Sequence, residues 1–146
     1  MDFTPLRRIG VGFMLTLATI YVSGWIEQQI SAGFKPSIGW QVLSYWLITS
    51  AEILISITAL EFSYTQAPPR LKSLVMSLDL MSVALGNFFT ARVNAYIEKV
   101  GALANLDGAH YWWFFLKVTA ATTILFFVVA IFYKGQTYLQ DDQAEA

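Results

Sequence analysis

Cysteine is absent from this 146-residue chain, so disulfide frameworks, thiolate metal sites, cysteine nucleophiles and iron–sulfur clusters are excluded. Histidine occurs once, as His110. One imidazole cannot build a multi-histidine zinc site, and no stretch supplies the carboxylate cluster that an oxygen-ligated cation needs. Charge is also scarce, at 13% of residues against about 25% in an ordinary soluble domain. Nine basic and ten acidic residues leave a net charge of −1, which gives no global field to attract nucleic acid. Hydrolase elbows, phosphate loops and nucleotide fingerprints are missing too. No metal, no cofactor and no self-contained catalytic set are therefore expected, and an enzyme would need catalytic groups from another chain.

What is present is apolar surface: 56% of residues are hydrophobic and 16% aromatic. Predominantly apolar blocks fall near 9–26, 39–66, 73–97 and 110–133. Each is long enough to cross a hydrocarbon layer of about 30 Å as a helix of about 20 residues. Breakers separate them: Gly33, Pro36 and Gly39, then Pro68 and Pro69, then Gly101 and Gly108. Strands are disfavoured because the blocks are too long and show no sustained alternation. A soluble helix is disfavoured because Val118 to Ile131 offers only threonines as a polar face. We expect an all-α membrane protein with a four-helix segment over 1–136, its spans near 5–27, 39–66, 70–98 and 110–134, and a polar cytoplasmic tail over 137–146.

Lys and Arg are retained on the cytoplasmic side of short loops. With four spans both termini share a side, which carries Arg7, Arg8, Arg70, Lys72 and Lys134, whereas the opposite loops carry Lys35 and Lys99. Both termini are therefore expected in the cytoplasm. Trp25, Trp40, Tyr45, Trp46, Tyr111, Trp112 and Trp113 would mark the outer interface, with Tyr64, Tyr133 and Tyr138 at the inner one.

Ionisable groups within spans are costly to insert and mark functional candidates. Five occur: Glu52, Glu61, Asp79, Arg92 and Lys117. Glu52 lies about 20 Å along its helix from Gly39 at 1.5 Å per residue, near the bilayer middle, and Asp79 reaches a similar depth from the other end. The two carboxylates imply a polar interior path, unless either is a structural, hydrogen-bonded acid. Glu61 falls on the opposite helix face from Glu52 and is expected to pair with Arg70 or Lys72. Arg92 and Lys117 are read as snorkelling residues. Ser82, Gly86, Thr90 and Asn94 form a stripe at four-residue spacing, which serves either helix packing or a wet cavity.

The run Ala51-Glu52-Ile53-Leu54-Ile55-Ser56-Ile57-Thr58-Ala59-Leu60-Glu61-Phe62-Ser63-Tyr64-Thr65-Gln66-Ala67-Pro68 resembles the tenth helix of the proton-dependent oligopeptide transporters, the POT or PTR branch of the major facilitator superfamily. Lys72 to Ser77 and Ser82 to Asn87 resemble its eleventh helix, Trp112 to Phe115 with Tyr133-Lys134 its twelfth, and Pro5 to Gln28 its ninth. The resemblance implies four helices of a C-terminal six-helix bundle, in a carrier that moves di- and tripeptides inward with protons by alternating access. Residence in a bacterial inner (plasma) membrane is expected. The resemblance further implies that Glu52 faces the central cavity and recognises the peptide's amino end. We also expect Ser56, Asp79 and Ser82 as substrate contacts and Glu52 and Asp79 as proton-coupling candidates. A carboxyl in a low dielectric holds its proton tightly and yields it to an approaching ammonium, so an exchange of proton for amine is chemically coherent.

Two departures from the family pattern bear on this expectation. Asp79 stands where these carriers usually place a cavity-lining tryptophan. The family's first eight helices, with the E-x-x-E-R motif that implies proton coupling and the groups holding the peptide carboxylate, have no counterpart in this sequence. The chain is therefore expected to be a fragment or to join helices supplied in the same or another chain. The alternative is a nonfunctional remnant or a structural membrane subunit.

Overall fold

The computed structural model describes residues 4–100 and 108–133. Gly101, Lys134, Tyr138 and the expected tail 137–146 lie outside the described residues. Among the described residues, four helices are long and apolar enough to cross a membrane: α1 (Pro5–Ser31), α2 (Ile38–Gln66), α3 (Lys72–Val100) and α4 (Ala109–Phe132).

Local chemistry explains where they start and stop. Pro5 opens α1, where its missing N–H costs nothing. Gly33 closes it at φ +84°: its N–H donates to the Ile30 carbonyl at 2.9 Å and the Phe34 N–H to that of Gln29 at 3.0 Å. This is the paired closure that a left-handed glycine permits. The Ser37 hydroxyl accepts from the Gly39 N–H at 3.3 Å and caps α2. At the other end Ala67 is extended, as a residue before proline must be, and the short 3-10 turn Pro69–Leu71 leads into α3. Within the helices, hydroxyls of Thr16, Thr19, Thr49, Ser50, Thr122 and Thr123 donate to carbonyls one turn back. Each polar group is thereby satisfied without water.

α1 is the hub. It runs antiparallel to α4, with Gly10 against Phe127, Phe13 against Phe126 (ring centroids 5.0 Å apart), Tyr21 against Trp113 (5.7 Å) and Gly24 against Trp112. It also runs antiparallel to α2, with Trp25 on Trp40 (5.0 Å), Ser23 hydrogen-bonded to Ser44 (2.8 Å) and Gly12 on Ala51 and Ile55. Glycine is required at that last crossing, because a Cβ on Gly12 would stand 2.5 Å from Ile55 Cγ1 and 3.3 Å from the Ala51 carbonyl oxygen. The Tyr133 hydroxyl, just past α4, donates to Gln66 Oε1 at 3.2 Å, so α2 and α4 end together beside the start of α1. Helix α3 stands apart. Among the described residues it approaches the other helices only through Thr58–Gln66 and Pro69–Leu71, and none of its own residues is buried. Buried residues among those described include Ile9, Ile26, Ala51, Ser44 and Thr123, where α1 meets its two neighbours or one turn from those contacts.

Candidate functional site

Helix α2 is not uniform. It is α-helical over Ile38–Glu52, widens to a π-turn over Ile53–Ile57 and resumes over Thr58–Gln66. A π-turn adds a residue to the helical circuit, shifting the faces on either side, and such turns recur at functional sites. Glu52 is the last α-helical residue before it, and Ser56 lies inside it. Ala51 is 1% exposed against α1, while Glu52, about 100° further round the helix, is exposed. Packing against α1 therefore leaves the Glu52 carboxylate directed elsewhere, with Ser56 also exposed one turn later.

Asp79 and Ser82 sit on α3. The Ser82 hydroxyl donates to the backbone carbonyl of Asp79 at 2.7 Å, and Thr90 donates to that of Gly86 at 3.1 Å, so both hydroxyls of the stripe are committed to their own helix. A Cβ on Gly86 would meet nothing within 4 Å. Glu52 and Asp79 do not converge within the described residues, because nothing in Ile38–Ile57 has a Cα within 8 Å of α3. The polar path expected between the two acids is thus not closed by these four helices. The expected partnership of Glu61 with Lys72 or Arg70 is replaced by different contacts. Lys72 Nζ lies over the Tyr64 ring, 4.4 Å from its centroid, and Glu61 faces a groove between α1 and α2 shared with Arg8. The physical reason is the 3-10 turn, which directs the basic start of α3 onto the aromatic ring. Arg92 covers Phe88 at 4.8 Å.

One acidic group escaped the sequence reading. α1 extends to Ser31, so Glu27 lies within the helix, half-buried on a cavity of about 340 Å³ between α1 and α2. Ser23, Gln41, Ser44, Tyr45 and Trp112 also line it. A side chain at Gly108 would stand 3.7 Å from Glu27 Oε1, which sets the carboxylate at the N-terminal end of α4, where backbone N–H groups favour negative charge. The signal was the closure at Gly33, which carries the helix past the apolar block.

The model of the POT family matches residues 1–113. The chain belongs to the POT family. Among its relatives, solute carrier family 15 member 2 of Mus musculus is 41% identical over 81 residues, which are 53% of this chain and 11% of that protein. Protein NRT1/PTR FAMILY 7.2 of Arabidopsis thaliana is 30% identical over 121 residues, 75% of this chain and 20% of that protein. The crystal structure of an auto-inhibited POT family peptide transporter superposes with a TM-score of 0.86 at 27% identity, covering 95% of this chain and 28% of that one. This POT chain is accordingly an all-α integral membrane protein with the major facilitator architecture of its relatives. It spans a fifth or less of the length of these two relatives and just over a quarter of the solved transporter.

Proposed function

We propose that this chain supplies part of the C-terminal six-helix bundle of a proton-coupled symporter for di- and tripeptides, with Glu52 as its contact to the peptide's amino end. The observation that carries this reading is the placement of Glu52. Its neighbour Ala51 is packed against Gly12 of α1, yet the carboxylate is exposed beside a π-turn and so remains available to a cavity formed with further helices. Family membership supports transport as the setting, and the peptide transporter whose structure it matches supports the substrate class.

In this reading Ser56 flanks Glu52 in the same cavity, and the expanded turn presents both. Asp79 and Ser82, on the stripe of α3, face the same space once the bundle is complete. The carboxylate of Glu52 accepts a charge-assisted hydrogen bond from the peptide ammonium. Arg7, Arg8, Arg70 and Lys72 gather at the bundle end where α1 begins and α2 ends, which favours both termini in the cytoplasm of a bacterial inner membrane. The test is Glu52→Gln in the carrier completed by the remaining helices: uptake of peptides with a free amino end should fall.

A second reading, a structural subunit or remnant without transport, draws on α3, which buries none of its residues in the described fold. In that case Glu52→Gln would change nothing, and packing substitutions alone would matter.

A further inference from the structure

Two adjacent arginines open α1, and the helix sends them into different grooves. Arg8 lines the α1–α2 groove with Val11, Ile57 and Glu61, so its charge faces a carboxylate across a shared space. Arg7, about 100° away round the helix, stands at the end of a groove of about 460 Å³ between α1 and α4. Gly10, Val11, Met14, Leu15 and Phe127 wall that groove, and no acidic residue lines it. Its depth depends on Gly10, where a Cβ would approach Phe127 Cε1 to 3.1 Å. Its sides are open, with Met14 56% and Phe127 42% exposed. From Arg7 to Leu15 it extends about 12 Å along the helix at 1.5 Å per residue.

We propose that this groove binds an anionic phospholipid, its phosphate on the Arg7 guanidinium and one acyl chain lying along Gly10, Met14 and Leu15 against Phe127. The chemistry is complementary at both ends. A guanidinium forks onto phosphate oxygens in a way an ammonium cannot, and a purely apolar trough on a membrane-spanning helix pair accepts hydrocarbon. Basic pockets between membrane helices select anionic headgroups in this manner. A zwitterionic lipid offers the same phosphate but brings its own cation, so it is the weaker ligand. The assignment rests on the chain spanning a membrane and not on peptide transport.

Native mass spectrometry of the purified full chain in detergent, with phosphatidylglycerol or phosphatidylcholine of identical acyl chains, reads the preference directly. Phosphatidylglycerol adducts should exceed phosphatidylcholine adducts by roughly fivefold, the factor for one arginine near an anionic surface. Arg7→Gln should abolish that preference, and Arg7→Lys should keep part of it. Arg8→Gln should leave it intact, because Arg8 faces Glu61. Met14→Trp, which fills the groove from an exposed position, should lower binding of both lipids. A photoreactive residue in place of Met14 should label lipid in vesicles of phosphatidylcholine and phosphatidylglycerol. Equal losses for Arg7→Gln and Arg8→Gln would reduce the effect to diffuse surface charge and overturn the proposal. Labelling of a second copy, or of the tail 137–146, instead of lipid would overturn it as well.

Discussion

The crossing of α1 and α2 at Gly12 lends itself to a quantitative test, because the same substitution at two other glycines supplies its control. Gly12→Ala, Gly24→Ala and Gly86→Ala each gain about 1 kcal/mol of helix propensity. They differ in what the new methyl group meets: Ile55 Cγ1 at 2.5 Å and the Ala51 carbonyl at 3.3 Å for Gly12, Trp112 Cβ at 3.1 Å for Gly24, and nothing within 4 Å for Gly86. Overpacking a tight contact costs about 1–3 kcal/mol. At Gly12 that cost meets or exceeds the propensity gain, leaving a net destabilisation of about 0–2 kcal/mol. At Gly86 the gain stands alone. The difference between these two variants therefore isolates the overlap, at about 1–3 kcal/mol or roughly 5- to 150-fold in the unfolding equilibrium, with Gly24→Ala between them. Denaturation of the chain in detergent, followed by tryptophan fluorescence, reports this well, since Trp25 and Trp40 pack together at the same helix interface. If Gly12→Ala stabilises the chain as much as Gly86→Ala does, the close crossing is refuted.

Three further outcomes are expected. The Ser23–Ser44 hydrogen bond of 2.8 Å joins α1 to α2; a double-mutant cycle with Ser23→Ala and Ser44→Ala should give a coupling of about 0.6 kcal/mol, the average for such pairs in membranes, and zero coupling would remove that tie. Tyr133→Phe deletes the 3.2 Å hydrogen bond to Gln66 while keeping the ring beside Phe62, 5.5 Å between centroids, so its effect on stability should stay below about 1 kcal/mol. Asp79→Trp restores the residue type usual in the family; peptide affinity of the completed carrier should rise if the ordinary pocket is otherwise intact, and a fall would give Asp79 an acidic role of its own.

Hydropathy made the four long helices legible, because an apolar run near 20 residues admits few other structures. The glycines and prolines at the breaks were equally informative, since Gly33 and Pro68 act through local backbone geometry. The π-turn over Ile53–Ile57 was not legible: no glycine or proline marks it, and it lies at the crossing where Ile55 meets Gly12, a tertiary contact that no local pattern encodes. Glu27 was overlooked because it stands at the last position of the expected span, 5–27, whereas the helix continues a further turn to Ser31. Depth along a helix placed Glu52 and Asp79 at comparable levels, but depth says nothing about azimuth or about how far α3 stands from α2. The pairing foreseen for Glu61 failed for a related reason, since the turn Pro69–Leu71 brings Lys72 onto Tyr64.

The central claim is that Glu52 reads the amino end of a peptide. Its most direct measurement compares the affinity of one dipeptide with that of its N-acetylated counterpart, in the completed carrier and in its Glu52→Gln variant. The wild-type protein should favour the free amine, and the variant should lose that preference while binding the acetylated form as before. An undiminished preference in Glu52→Gln would contradict the assignment.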